Sequence, residues 1–368
     1  MKMLDMRNVL PAQAYAFSAD GFADQDTPLV KNCWYVAARS EELGRSIVAR
    51  RILGTEVAMY RSLSGQPVAV RNRCPHRSFP LAMGKLDGDT LVCGYHGMEF
   101  DLSGHCTKMP SMPITPSNAN VRCFPMVETA PLVWIWMGDP ELADESLIPD
   151  TSWLASPEWK SVTGGFHMQC DYVSMHENLL DQTHFPFLHP GTVGTPAYAR
   201  STLEVWQEAQ QVFLHRELLD SPPPGIYGVP TGLQEKNVNR YSDSKFASPA
   251  IHVAFAKIVD EQPELGALSE YLFNITHLIT PETSHSIHYW WFNSRNFKLK
   301  DEAADSFLAD ASTKAYVEDV DALEAILKVV TADSEPQFDL NFAPDKPGLL
   351  MRKILLQQAA KEAGVTLS

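Results

Sequence analysis

The stretch CPHRSFPLAMGKLDGDTLVCGYHGMEFD, residues 74–101, constrains the fold more than any other part of the chain, because it holds four candidate metal ligands. Cys74 and His76 are one residue apart, Cys93 and His96 are two apart, and sixteen residues lie between the pairs. Thiolates and imidazoles together select zinc, copper or iron–sulfur chemistry. We therefore expect two loops of the chain to meet around a metal.

A structural zinc site is one interpretation, since two cysteines and two histidines can complete a tetrahedron. The common zinc spacings, however, put both cysteines in one pair and both histidines in the other, whereas each pair here is mixed. Mixed pairs suit a 2Fe–2S cluster in which one iron takes two thiolates and the other takes two imidazoles. We predict this cluster, and the red-brown colour of such a protein would separate it from a colourless zinc protein.

Composition excludes several classes of protein. The formal net charge is −15, and no run of Lys and Arg forms a basic stripe, so we expect no nucleic-acid partner. No segment has the eighteen or so apolar residues of a membrane span, and the N-terminus lacks the apolar core of a signal peptide. Six cysteines without a secretion signal favour a reducing compartment, so we predict a cytoplasmic protein.

The order of sequence patterns predicts an α+β chain of two domains. Short runs rich in Val, Tyr, Trp and Ile fill residues 30–140, and a polar stretch follows near residue 150. We divide the chain into an N-terminal extension (1–28), an antiparallel β domain (29–150) and a domain of mixed helix and antiparallel sheet (151–368). In the last, helix-like patterns cover about 172–184 and 301–331. Residues 220–250, dense in Pro, Gly, Ser and Asn, indicate a long irregular loop that shapes substrate choice.

A second group of candidate ligands lies in HENLLDQTHFPFLHPGT. Asn178, Asp181 and His184 recur at i, i+3 and i+6 along a helix, but His189 lies about 140° further round it than His184. Pro186 should break the helix and let the chain turn His189 back toward His184. Two histidines and one carboxylate form the facial arrangement of a non-haem Fe(II) that activates oxygen.

The helix AYVEDVDALEAILKVV offers the carboxylate. Asp319 lies about 60° from the centre of its apolar stripe, whereas Asp321 and Glu318 lie about 140° and 160° away. A buried aspartate is costly unless it is paired or metal-bound. Asp319 is therefore the predicted third ligand.

With both groups in this order, the chain resembles the oxygenase (alpha) component of Rieske non-haem iron oxygenases. The motifs are C-x-H and C-x-x-H for the cluster, with N-x-x-D-x-x-H-x4-H for the iron site. NCWYVAA, LVWIWMGDP, THLITPET and SRNF are similar to the aromatic O-demethylases of the vanillate and dicamba type. Gly94 and Met98 depart from the family motif, where proline and tryptophan are common.

The resemblance implies an N-terminal Rieske domain, a helix-grip-like catalytic domain and a homotrimer. In the trimer, Asp181 would bridge His96 of a neighbouring subunit to His184, with Asn178 beside it. We expect a separate ferredoxin or flavin reductase to supply electrons from NAD(P)H, because no G-x-G-x-x-G fingerprint is present here. The enzyme would use O2 for oxidative O- or N-demethylation of a small aromatic compound. Alternatives are ring hydroxylation or dihydroxylation and, in another class, a Rieske electron carrier without oxygenase activity.

The substrate pocket is predicted from one segment, THLITPETSHSIHYWWFNSRNF, which has the pattern of two strands joined by a turn. His277 and Asn293 are its candidate substrate-binding residues. The resemblance to the demethylases implies that His277 faces the substrate and holds a carboxylate or carbonyl. The alternative is that both side chains only pack the sheet. Trp290 and Trp291 point to opposite faces of the strand, so at most one of them lines the pocket.

Overall fold

The computed structural model describes residues 28–332 and 340–365. The predicted N-terminal extension lies outside these residues except for Pro28. Two compact units are present: Lys31–Asp150, and the described residues on either side of it. In the described part of the chain, no helix has the length and apolar character needed to cross a membrane.

The unit Lys31–Asp150 consists of small antiparallel sheets. One has the order β1-β11-β10, with β1 Trp34–Arg39, β11 Leu132–Trp136 and β10 Met126–Thr129. A second has the order β2-β3-β4-β9, with β2 Val48–Ile52, β3 Thr55–Arg61, β4 Pro67–Arg71 and β9 Cys123–Phe124. The third contains, in order, β5 Lys85–Asp87, β6 Thr90–Val92, β7 Glu99–Phe100 and β8 Cys106–Lys108. Val, Trp, Tyr and Phe side chains favour such pleated, half-buried surfaces.

The other unit is built on a seven-stranded antiparallel sheet in the order β12-β18-β17-β16-β15-β14-β13. The strands are β12 Lys160–Met168, β13 Leu203–Glu208, β14 Gln211–Ser221, β15 Val238–Ser248, β16 Ile251–Val259, β17 Glu270–Pro281 and β18 Ile287–Arg295. The helices are α1 Tyr172–Leu180, α2 Phe185–Leu188, α3 Gly225–Thr231, α4 Glu302–Ala332 and α5 Lys346–Glu362. The α+β prediction is confirmed, as is the strand–turn–strand pairing of β17 with β18.

The long helix α4 packs against β12 and β18, while α1 contacts β15 and β17. The buried positions of α4 recur every three or four residues from Ala304 to Leu323, the spacing of one helical face. Beyond Leu323 the predicted apolar stripe becomes less buried, since Leu327 is half-buried and Val330 is 47% accessible. Asp319 is the charged residue on the buried face.

Two predictions about this unit are wrong. Residues 220–250 are not one irregular loop, since they contain α3 and all of β15. The buried face of β15 carries Arg240, Ser242 and Ser244, and these polar residues concealed the alternation of a strand in the sequence. The predicted helix 172–184 ends at Leu180.

The chain turns before Pro186 and not at it. Asp181 lies at the C-cap of α1 in extended conformation, and its Oδ1 accepts from the backbone N–H of Thr183 at 2.7 Å. This local hydrogen bond redirects the backbone. Pro186 then occupies the first turn of α2. A backbone N–H at this position would have no intrahelical acceptor, so proline, which lacks that N–H, costs the helix no hydrogen bond.

Candidate metal centres

The four residues predicted to hold a cluster lie in two loops of matching backbone geometry. In each loop the cysteine N–H donates to the carbonyl five residues later, at 2.9 Å for Cys74 and 2.8 Å for Cys93. The cysteine carbonyl accepts from the residue four positions later, at 2.9 Å from Ser78 and 3.0 Å from Gly97. Ser78 and Gly97 both have positive φ, 57° and 70°, which closes each loop sharply.

The side chains of these loops divide into an inner pair and an outer pair. Cys74 and Cys93 are both buried, whereas His76 and His96 are exposed with ring centroids 4.5 Å apart. Burial raises the pKa of the Cys74 thiol, a backbone hydrogen bond from His76 opposes this, and the neighbouring Cys93 thiol adds to it. Two adjacent thiols inside and two adjacent imidazoles outside are the donor set of a 2Fe–2S cluster of mixed ligation. The residues therefore fit the predicted cluster.

The two departures from the family motif are accommodated around these loops. Met98 is buried, and its Sδ lies 3.8 Å from Cys74 Sγ, so it fills the space behind the loops. At Gly94 an added Cβ would meet the carbonyl oxygen of Met83 at 2.8 Å, so the backbones approach more closely than a side chain allows. Neither departure displaces a ligand.

The residues predicted to hold the mononuclear iron also lie together. His184 and His189 flank α2 at its N-cap and C-cap, and Asp319 faces them from α4. His189 Nε2 is 3.0 Å from Asp319 Oδ1, and His184 Nε2 is 3.6 Å from the same oxygen. One ligand atom from each residue lies within 4.8 Å of the others, so the three could hold one metal ion.

The far nitrogens of both imidazoles face carboxylates. His189 Nδ1 donates to Glu318 Oε2 at 2.8 Å, and His184 Nδ1 lies 3.5 Å from Asp181 Oδ2. With each Nδ1 carrying its proton, both Nε2 atoms turn their lone pairs toward Asp319. Such carboxylate–histidine pairs orient metal-binding imidazoles and make them more basic. Three acceptor atoms that converge in this way require a cation or protons between them.

The electrostatics of the site agree with that requirement. For His184, burial acts to lower the pKa, but the facing carboxylates of Asp181 and Asp319 outweigh it and raise the pKa to about 9. For Asp319, burial acts to raise the pKa, and the two histidines lower it to about 2. His184 Nε2 is buried without a hydrogen-bond partner among the described residues. The donor set therefore fits a divalent iron, which would take the place of the proton.

Two predicted residues and one unpredicted residue support this centre. Asn178 Nδ2 donates to Asp319 Oδ1 at 3.0 Å. The backbone N–H of Thr183 donates to Asp181 Oδ1, the carboxylate oxygen that does not face His184. The role of Glu318 was missed, because its helical position is far from the centre of the apolar stripe. His189 contacts the flank of α4, so a long glutamate side chain from that flank reaches its ring. The available signal was the acidic pair at 318–319 on one helix.

The candidate substrate residues occupy different depths of the fold. His277 on β17 is 4% exposed, and its Nδ1 lies 2.7 Å from the Tyr289 hydroxyl, with its ring edge-on to Tyr316. Tyr316 lies one turn before Asp319 on α4. Asn293 on β18 is fully buried, and its Nδ2 donates to Ser312 Oγ at 3.0 Å.

Family models match the chain in both units. The Rieske [2Fe-2S] domain matches residues 33–125, and the vanillate O-demethylase oxygenase C-terminal domain matches residues 168–362. The chain belongs to the Rieske non-haem iron oxygenases, in the family that this C-terminal domain defines. The resemblance stated from the motifs is thereby confirmed.

Several relatives are similar to this chain over most of their length. The chain is 33% identical to the toluene-4-sulfonate monooxygenase system iron-sulfur subunit TsaM1 of Comamonas testosteroni, over 86% of this chain and 91% of that one. It is 36% identical to the dicamba O-demethylase oxygenase component of Stenotrophomonas maltophilia, over 81% of this chain and 88% of that one. A crystal structure of dicamba monooxygenase bound to 3,6-dichlorosalicylic acid matches with a TM-score of 0.84 at 32% identity, covering 91% and 99%.

These matches define the class of enzyme and its cofactors. The chain is an oxygenase component with a 2Fe–2S Rieske cluster and a mononuclear non-haem iron, and O2 is its co-substrate. A similar dicamba monooxygenase has been solved with non-haem iron and dicamba. The names of the relatives as oxygenase components or subunits imply a separate component that supplies electrons.

Proposed function

We propose that this chain is the terminal oxygenase of a multicomponent system that removes an O- or N-alkyl group, most simply a methyl group, from a small aromatic compound. The relatives include dicamba and vanillate O-demethylases and a chloroacetanilide N-alkylformylase. In the overall reaction one atom of O2 enters a C–H bond beside oxygen or nitrogen, and two electrons and two protons reduce the other to water. The product then releases formaldehyde or another aldehyde and leaves a phenol or amine.

The observation that carries this proposal is the convergence of His184 Nε2, His189 Nε2 and Asp319 Oδ1 in a chain that also brings Cys74 and Cys93 together. An electron carrier needs only the cluster. A three-residue facial site in the same chain would supply what oxygen activation requires in addition. We assign Cys74, His76, Cys93 and His96 to the cluster, and His184, His189 and Asp319 to the mononuclear iron.

The bound irons would supply electron transfer and oxygen activation. The chain's own residues orient the side chains that would hold the mononuclear iron. Glu318 and Asp181 fix the two imidazoles through their Nδ1 atoms. Asn178 holds Asp319 through an amide hydrogen bond, which limits rotation of the carboxylate. Together these contacts form a rigid donor set that would hold the iron.

For substrate contacts, we infer that His277 is better placed than Asn293. His277 packs against Tyr316, one turn from Asp319 on α4, whereas Asn293 pairs with Ser312, seven residues and about 10 Å before Asp319 along the helix. His277 would hold a polar group of the substrate. Burial lowers the pKa of His277 to about 3, so it would act as a neutral hydrogen-bonding group.

We further propose a cytoplasmic homotrimer in which residues 29–150 form the Rieske domain and residues 151–368 form the catalytic domain. In that assembly Asp181 would connect His184 to His96 of a neighbouring subunit. Asp181 Oδ1 is engaged by Thr183 and Oδ2 faces His184, while 30% of its side chain stays exposed for such a contact. Light scattering of the purified holoprotein tests the assembly, and a monomer would exclude this bridge.

Metal analysis and product analysis test the proposed reaction. Anaerobically purified protein should contain three irons and two acid-labile sulfides per chain, with a Rieske resonance spectrum. With a ferredoxin and reductase, methoxybenzoates or N-methylanilides should yield formaldehyde in equal amount to the phenol or amine. A ring-hydroxylated product that keeps its methyl group would favour a ring hydroxylase. Two irons and two sulfides, unchanged after Fe(II) is added, would leave an electron carrier.

A further inference from the structure

A buried arginine lies on the inner face of the large sheet, outside the metal centre. Arg240 is on β15, and only 1% of its surface is exposed. Its Nη2 donates to Thr195 Oγ1 at 3.1 Å. Its Nε and Nη1 have no hydrogen-bond partner among the described residues, and no carboxylate of those residues is ion-paired with it. Within the described part of the chain, two of its donor groups therefore have no acceptor.

The surroundings of Arg240 are aromatic. The guanidinium carbon lies 4.8 Å from the ring centre of Tyr198 and 5.9 Å from that of Tyr227. By contrast, Arg216 on the neighbouring strand donates from Nη1 to both the carbonyl and the hydroxyl of Ser201. At Nη1, Arg216 thus has acceptors that Arg240 lacks, whereas the Nε of both arginines has no hydrogen-bond partner among the described residues.

The charge of Arg240 needs a counter-ion. A guanidinium does not lose its proton at any ordinary pH, so burial cannot neutralise it. The tyrosine rings offset part of the cost through their negative faces. An unpaired buried ion is still strongly unfavourable, and a hydrogen-bonded anion relieves it. The free Nε–H and Nη1–H point to different edges of the planar guanidinium. A carboxylate or related oxyanion would therefore accept from one of them together with the N–H of Nη2 that Thr195 does not engage.

Arg240 is connected to the metal centre by two aromatic rings. Tyr198 packs against Phe185 with ring centroids 5.1 Å apart, and Phe185 packs against His184 at 4.9 Å. Thr195 belongs to the same loop as His189, six residues further along the chain. An aromatic compound anchored at Arg240 would therefore lie on the side of the centre where His184 and His189 enter.

We propose that Arg240 is a specificity-determining residue that binds the carboxylate or sulfonate group of an aromatic substrate. This inference rests on the proposed function, because it specifies the substrate class of the same site. The oxyanion would accept from Arg240 and so neutralise the buried charge, and the tyrosines would border the substrate ring. The substrate class is accordingly an aromatic acid and not a neutral arene.

Equilibrium binding tests this without turnover. Titration calorimetry on the cluster-containing protein would compare benzoate, benzenesulfonate and the neutral, similarly shaped benzamide. Wild-type protein should bind at least one anion about tenfold more tightly than benzamide. Arg240→Met should remove that preference while leaving benzamide affinity within about twofold, and Arg240→Lys should keep part of it. The relative affinity of the two anions separates a carboxylate site from a sulfonate site.

The control is Lys245→Met, which removes one positive charge from the outer face of the same strand. It should leave the anion preference unchanged. An Arg240→Met protein that folds, by circular dichroism and cluster absorbance, and still prefers the anion would overturn the proposal. So would a wild-type protein without any anion preference, which keeps the test valid even where the variant does not fold. Dealkylation of neutral arenes without anion preference would overturn this inference alone, whereas anion binding without turnover would count against the proposed function alone.

Discussion

The two ring nitrogens of His189 face consecutive residues of one helix. Nδ1 donates to Glu318 at 2.8 Å, and Nε2 points at Asp319 Oδ1 from 3.0 Å. The imidazole is therefore held between two carboxylates that differ in role. Glu318 fixes the tautomer and the orientation of the ring, while Asp319 shares the space in which the metal would lie.

Glu318→Gln tests this division of roles. A glutamine keeps the size of the side chain but loses the negative charge that faces His189 Nδ1. We expect the affinity for mononuclear iron, or the turnover, to fall about 10- to 100-fold, with the cluster spectrum unchanged. Asp321→Asn, an exposed change on the same helix, is the matched control. Equal iron retention by the two variants in a chelator competition would contradict the role of Glu318.

His184→Ala should abolish turnover and mononuclear iron while leaving the cluster absorbance intact. The reason is that His184 belongs to the unit outside Lys31–Asp150, whereas both cysteine loops lie within it. Iron and sulfide analysis alongside the visible spectrum checks the outcome. Loss of the cluster signal in this variant would mean that the second metal site is misassigned.

Spacing was enough to predict which candidate ligands lie together, but not every contact around them. The cysteine and histidine pairs, and the position of Asp319 near an apolar stripe, are local features that a single helix or loop displays in sequence. Glu318 was missed because the flank of α4 that His189 contacts depends on tertiary packing. The turn was predicted at Pro186, but Asp181 and Thr183 already form it. Their side-chain-to-backbone hydrogen bond has no strong sequence pattern from which it could be predicted.

The same limit explains the error over residues 220–250. In β15, alternate residues are buried, but the inward positions include Arg240, Ser242 and Ser244. A search for alternating apolar residues cannot recognise a strand whose core face is polar. Ser242 accepts from Gln182, and Ser244 contacts His252, so partners from distant segments satisfy these groups. A strand that conceals its pattern in this way is also where a binding residue such as Arg240 lies.

Gly194→Ala should disrupt the loop that carries His189. A Cβ at Gly194 would collide with the carbonyl oxygen of Phe185 and approach that of His189 at 2.8 Å. We expect loss of mononuclear iron, measured per chain, without loss of the cluster. Gly191→Ala, in the same loop, is the control because the nearest atom to its Cβ is the flexible Lys314 Nζ at 3.5 Å. Equal iron contents in the two variants would show that the loop adapts.

Asp181→Asn should separate metal binding from electron delivery. Thr183 can still hold the side chain, but the asparagine loses the negative charge facing His184. We expect both metals to remain and the rate of product formation to fall by at least about tenfold. Single-turnover reactions of the pre-reduced protein, followed by stopped-flow oxidation of the cluster, locate the slow step. Wild-type cluster oxidation rates in this variant would exclude Asp181 as the connection between the sites.

His176 should make the protein less stable in acid. Burial lowers its pKa to about 4, opposed weakly by the hydrogen bond to the Pro249 carbonyl, while the ordinary value of 6.5 applies to the unfolded chain. As pH falls, the unfolded state binds this proton first. The stability is therefore fully present above pH 6.5 and is lost toward pH 4, by up to about 3 kcal/mol.

His176→Gln tests this, because glutamine can still donate to the Pro249 carbonyl. Between pH 7 and pH 4.5 the melting temperature of this variant should fall less than that of wild type, by about 4 °C or more. His285→Gln, at an exposed position, should match wild type; an equal fall in all three proteins would show that His176 does not govern the acid limb.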